Sequence, residues 1–177
     1  AELLTLSPEV PTVNYIQGLL HFHNKKYRDA ITALTLAEPA ARQYPLALYY
    51  LGLSHLIGKD VELAAKFAGQ FVAASPDNIG GRKLYAATLV LQDKVKEAQD
   101  VLRSVLDNNP EDVAALNIMA NALLLDGQAD IALVLYARIA QLNPDWHIVP
   151  LRLETELVAA GPNVAAREDA AGQPSAT

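Results

Sequence analysis

Histidines, cysteines and paired carboxylates are the residues with which a chain of this kind could hold a metal or activate water, so their spacing is read first. Cys is absent, which removes disulfides, thiolate metal sites and thiol nucleophiles together. Four His are present. His21 and His23 stand two apart on one expected helix and point to different faces, so they cannot grip one ion. His21 and His55 fall on the same position of successive sequence repeats and read as a repeated packing position. His147 stands alone beside Trp146. No HExxH pair and no Ser-His-Asp arrangement is visible. The stretch from Gly52 to Lys59 fails as a phosphate loop. Five residues rather than four separate Gly52 from Gly58, and Asp60 stands where Ser or Thr would meet magnesium. Gly80-Gly81 follow Pro76 and Asp77 as a turn feature. No catalytic residue, metal site or cofactor is assigned, and the chain reads as a non-enzyme.

Charge narrows the partners. The net charge is −6 with a pI near 5.1, from 14 Lys and Arg against 20 Asp and Glu. No basic stripe exists, so nucleic acid and anionic membrane surfaces are poor partners on electrostatic grounds. Of the residues, 51% are hydrophobic but only 6% aromatic, and Ala and Leu supply about a third of the chain. That balance favours closely approaching helices over a β-sandwich. The sequence holds no apolar run long enough to span a membrane. It opens on Ala1 rather than Met and reads as a processed or excised form.

The elements that must position any site are organised by one constant interval along the chain. Gly18, Gly52, Ala86 and Ala120 keep it, as do Ala30, Ala64, Ala98 and Ala132, and so do Pro76, Pro110 and Pro144. The matching segments begin NYIQGLLHFHNKKYRDAITAL, LYYLGLSHLIGKDVELAAKFA, LYAATLVLQDKVKEAQDVL and NIMANALLLDGQADIALVLYA. A small residue within one helix and Ala early in the next let two antiparallel helices touch. Leu53, Leu56, Leu89, Leu102, Leu123 and Tyr136 fill the remaining space. Short turns carry Gly58-Lys59-Asp60, Gln92-Asp93-Lys94 and Asp126-Gly127-Gln128, and Pro stops each second helix. Such a hairpin cannot bury its apolar face alone and must stack on neighbours.

This pattern resembles the tetratricopeptide repeat (TPR) family, with small residues at the eighth and twentieth positions and Pro near the thirty-second. The resemblance implies an all-α, right-handed α-solenoid of four helix hairpins plus a C-terminal capping helix. We place a lead-in at 1–10, an array at 11–160 and a flexible tail at 161–177. The repeats run 11–44, 45–78, 79–112 and 113–146, with the cap at 147–160. Glu154 departs from the small residue usual in that cap, and Ser7-Pro8-Glu9 reads as a helix start. Repeat 1 has Arg42 where Pro is expected, between Pro39 and Pro45, which predicts an irregular first loop and a shortened second helix. The Trp of the family's fourth position is also missing, replaced by Asn14, Leu48, Arg82 and Leu116.

The resemblance further implies that function lies on the concave surface lined by the first helices. Its fifth positions are Tyr15, Tyr49, Lys83 and Asn117, its ninth include Leu19, Leu53 and Asn121, and its twelfth begin with Phe22. An extended peptide or partner helix would anchor on Tyr15, Leu19, Phe22, Tyr49 and Leu53. Its backbone would bond to Asn117 and Asn121 while Lys83 attracts an acidic group. The alternative is that some of these residues only pack between helices. The family's clamp for acidic C-terminal tails needs cations and an amide where Tyr15 and Tyr49 stand, so that subclass is not expected.

Repeats 2–4 look like the TPR scaffold proteins of bacterial exopolysaccharide and PEP-CTERM loci, on the helices YLGLSHL and RKLYAATLVLQDK and the Asn-Pro-Glu-Asp turn. This implies a periplasmic or envelope-associated scaffold for a protein or peptide partner, with self-association of the array a further expectation. Pilus- or secretin-assembly lipoproteins, cytoplasmic adaptors and enzyme-docking regulatory modules stand as alternatives.

Overall fold

The structure is a computed structural model and describes residues 10–143. The helix start at Ser7, the capping helix at 147–160, the tail at 161–177 and His147 lie outside the described residues. Among the described residues there are eight α-helices and no strand. They are α1 (Pro11–His23), α2 (Tyr27–Ala37), α3 (Leu46–Ile57), α4 (Val61–Ala74), α5 (Ile79–Leu91), α6 (Val95–Asn108), α7 (Val113–Leu125) and α8 (Ala129–Leu142). Each odd-numbered helix packs on its even-numbered partner, each hairpin packs on the next, and α1, α3, α5 and α7 also touch in succession. The result is a solenoid of four hairpins.

The small residues set that spacing. Ala30, Ala64, Ala98 and Ala132 are all fully buried. A Cβ on Gly52 would lie 3.2 Å from the Ala68 backbone nitrogen and 3.3 Å from the Ala64 carbonyl oxygen, so α3 and α4 meet backbone to backbone. At the joint between hairpins, Gly81 of α5 leaves room for Phe71 of α4, whose ring carbons would sit 2.6 Å from an added Cβ.

The turns repeat as faithfully as the helices. Lys25, Lys59, Asp93 and Gly127 hold the same position in successive repeats and all adopt the left-handed conformation, with φ of 58°, 64°, 61° and 76°. Around each, the next N–H reaches back to the carbonyl five residues earlier, as Lys26 does to His21 and Gln128 to Leu123, both at 2.9 Å. This satisfies carbonyls that a helix end would otherwise orphan. Helices α4, α5 and α7 start on Asp60, Asn78 and Asp112, whose side chains accept from Leu63, Gly81 and Ala115 N–H groups at 3.2, 2.8 and 2.9 Å.

The first joint differs as its prolines predict. Helix α2 has 11 residues, whereas α4, α6 and α8 each have 14. A 3-10 turn, Glu38–Ala40, carries Pro39 in place of the missing helical turn. Tyr44 then occupies the position, one repeat upstream of Asn78, where the later repeats place a capping side chain.

Candidate partner-binding surface

Close packing of first helices on second helices decides what the concave surface offers. Tyr49 and Leu53 on α3 are buried, at 0% and 1% exposure, and Phe22, Lys83, Asn117 and Asn121 are buried as well. Only Tyr15 and Leu19 of the eight nominated residues keep substantial surface. The expected groove of aromatic and aliphatic side chains running across repeats 1 and 2 is therefore corrected. Small residues let the first helices settle on the second helices, and Tyr49, Leu53 and Phe22 become core. Tyr49 meets Phe71 edge-on at 5.4 Å, and Phe22 meets Tyr50 at 4.8 Å.

Lys83 is corrected too. Its ammonium donates to both oxygens of Asp112, at 2.9 and 3.2 Å, with each side chain almost closed to solvent. Asp112 thus caps α7 and neutralises the cation of α5 at once, leaving no free charge there for an acidic ligand. The two amides are likewise engaged. Asn121 donates to the Asn117 carbonyl and accepts from the Tyr136 hydroxyl, each at 2.9 Å, which ties α7 to α8.

What stays open lies at the first joint. Tyr15 stacks on Tyr44 with ring centres 4.9 Å apart and planes 17° apart, and Thr12 shares a 2.7 Å hydrogen bond with the Tyr44 hydroxyl. Tyr50 lies beside them, and all three rings are half-buried. Burial, followed by the neighbouring Tyr50 and Tyr44, holds the Tyr15 phenol above its ordinary range; burial does the same for Tyr50. The surface is a shelf of rings with phenolic hydroxyls and the flank of Leu19. Sequence reasoning passed over Tyr44 and Tyr50, though a bulky ring beside Pro45 at a capping position was a readable signal.

The remaining candidates are structural. His55 stacks on Phe67 at 5.5 Å with its Nδ1 3.6 Å from Asp60, and burial lowers its pKa despite that carboxylate. His21 is half-buried and His23 exposed, on different faces of α1. Arg82, at the position of the missing Trp, donates to the Pro76 carbonyl at 2.6 Å and to Ser104 at 2.9 Å, fastening α5 to α6. Among the described residues no cluster of three or more His, Asp or Glu could hold a metal, and no helix is long and apolar enough to cross a membrane.

Comparison with known proteins adds three findings. The family model for the tetratricopeptide repeat matches residues 32–79 and 88–145, more than half of the chain. Protein FlbA of Caulobacter vibrioides is 33% identical over 85 residues, which cover 48% of this chain and 14% of FlbA. The chain therefore spans only a small part of that relative. Among solved structures, YrrB, a TPR protein with an unusual peptide-binding site, matches with a TM-score of 0.71 at 17% identity, over 88% of this chain and 78% of YrrB. MamA from Desulfovibrio magneticus matches with a TM-score of 0.69 at 17% identity, over 77% of each chain. Both likenesses are of fold.

Proposed function

The chain belongs to the tetratricopeptide repeat family, and from that premise we propose that it holds a peptide segment of a partner protein against the Tyr15–Tyr44–Tyr50 shelf. Proteins of this family are generally non-catalytic interaction modules, and a protein-interaction scaffold is the function the fold supports. The shelf carries the finer reading. Three half-exposed rings side by side supply apolar area, while their hydroxyls can bond a peptide backbone. Leu19 supplies an aliphatic wall for an apolar anchor.

A photo-crosslinking residue tests this when placed at Leu19 and, as a control, at exposed Lys96. Exposure to native extract should give a peptide-level adduct at 19 and none at 96. Labelling at 96 alone, or equally at both, overturns the reading.

The setting we propose is a bacterial envelope assembly for polysaccharide or surface-protein export. Its support is the resemblance of repeats 2–4 to scaffold proteins of such loci. Cell fractionation tests it: recovery with the envelope supports the assignment, and recovery only in cytosol overturns it.

A further inference from the structure

The two ends of the described array expose the two halves of its internal joint. At each joint, a residue near the end of one first helix packs on the first helix of the next repeat, as Phe22 packs on Tyr50. The counterparts of Phe22 in the later repeats are Leu56, Val90 and Leu124. Leu56 and Val90 are 1% and 2% exposed, but Leu124 is 51% exposed. Leu133 of α8 is 64% exposed, while its counterpart Ala65 is buried and Gln99 half-buried.

The N-terminal end shows the opposite half. The counterparts of Tyr50 are Ile16, Leu84 and Ile118. Leu84 and Ile118 are at 0% and 1%, yet Ile16 is 49% exposed. Leu20 is 59% exposed where Ser54, Thr88 and Ala122 are fully buried. These end positions have kept apolar residues although nothing in the described array covers them.

We propose that the face of Leu124 and Leu133 on one copy receives the face of Ile16 and Leu20 on a second copy, head to tail, so that the solenoid continues from chain to chain. Charge favours this pairing. Residues 11–44 carry four Lys or Arg against two acids, and residues 113–146 carry three acids against one Arg. The edge contact has a counterpart as well. Inside the array Gln92 donates to Glu62 at 3.0 Å, and the same positions across a copy-to-copy joint are Asn24, beside Lys25 and Lys26, and Asp130.

The chain's own 147–160 stretch suits the Leu124 face less well. In register it puts Arg152 and Glu156 where repeats 3 and 4 bury Leu84 and Ile118, and Thr88 and Ala122. Burying those charges there would be costly. A heterologous contact of this kind does not close on itself, so it adds copies without a fixed end.

Sedimentation velocity of the 177-residue chain over a concentration series is the test. The mean mass should rise without a plateau at dimer, and raised salt should lower it. Ile16→Asp and Leu124→Asp should each weaken association by about a hundredfold, because a carboxylate is buried in the joint. Their equimolar mixture should recover a one-to-one complex and stop there, since one intact face remains on each variant. Circular dichroism melting confirms that each variant folds, with Leu20→Asp and Leu133→Asp as replacements if either does not. A monomer at every concentration overturns the proposal. So does a dimer that survives either substitution, or a mixture that stays monomeric. A chain that associates only after residues 144–177 are removed also overturns it and assigns the face to the chain's own C-terminal segment.

Discussion

Repeats 1–2 and repeats 3–4 share one backbone frame and are held together by different chemistry. The first pair is held by rings: Phe22 on Tyr50 across the joint, and within the repeats Tyr15 on Tyr44, Phe22 on Tyr27 and Tyr49 on Phe71. The second pair is pinned by polar clasps: Lys83 with Asp112, which caps α7, Arg82 with Ser104 within repeat 3, and Asn121 with Tyr136 within repeat 4. Rings tolerate partial exposure and leave a surface a partner can use. Buried ion pairs and amides must satisfy one another and leave little over. The same repeat position therefore yields an open side chain in Tyr15 and a committed one in Lys83.

The sharpest break in that comparison is Asp112→Ala. It strands the Lys83 ammonium in a nearly dry site and removes the α7 cap, and losing one partner of a buried pair costs roughly 3–5 kcal/mol. Denaturant titration should show that loss. Stability within about 1 kcal/mol of the parent would mean that the polar clasp is ornamental and that packing alone holds repeats 3–4. Next in size is Gly52→Leu, in the ring-rich half. The side chain would meet α4 backbone and Leu84 at contact distance, so overpacking should cost about 1–3 kcal/mol or more and loosen α3 from α4.

Alkaline titration separates the halves without touching their packing. Burial raises the pKa of Tyr15, Tyr49, Tyr50 and Tyr136, so three of the four lie in repeats 1–2. Above pH ~10 the unfolded chain releases these protons while the folded chain keeps them, so stability must fall as pH rises. Tyr49, the most deeply buried of the four, contributes the steepest slope, at most about 1.4 kcal/mol per pH unit. Tyr49→Phe should lower the slope by one tyrosine's share in chemical melts at stepped pH. An unchanged slope would show that Tyr49 ionises as readily folded as unfolded.

The fold was legible because its cause is local and periodic. Gly18, Gly52, Ala86 and Ala120 are small for one steric reason, repeated, and Arg42 in place of Pro gave away the short α2. The site was legible only in part. Position-by-position inheritance from the family treats Tyr15 and Tyr49 alike, but their exposure depends on how nearly the neighbouring helices approach. Tyr15 stays half-open beside the irregular first joint, while Tyr49 sits between close-packed helices. The partner of Lys83 lies 29 residues away, and only the stacking of α5 against the start of α7 brings them together.

The smallest expected effect asks whether the shared frame really is indifferent to that chemistry. Lys25, Lys59 and Asp93 hold left-handed backbone that costs an L-residue about 1–2 kcal/mol, while the same turn in repeat 4 uses Gly127. Glycine removes that strain but loses more entropy on folding, by roughly 0.5–1 kcal/mol. Lys25→Gly, Lys59→Gly and Asp93→Gly should each therefore stabilise by about 0.5–1 kcal/mol in thermal melts. Gly127→Lys should destabilise by a similar amount. Asp93→Gly should gain the least of the three, because Asp enters left-handed backbone more readily than Lys, and an equal gain would show that the helix ends alone set the turn.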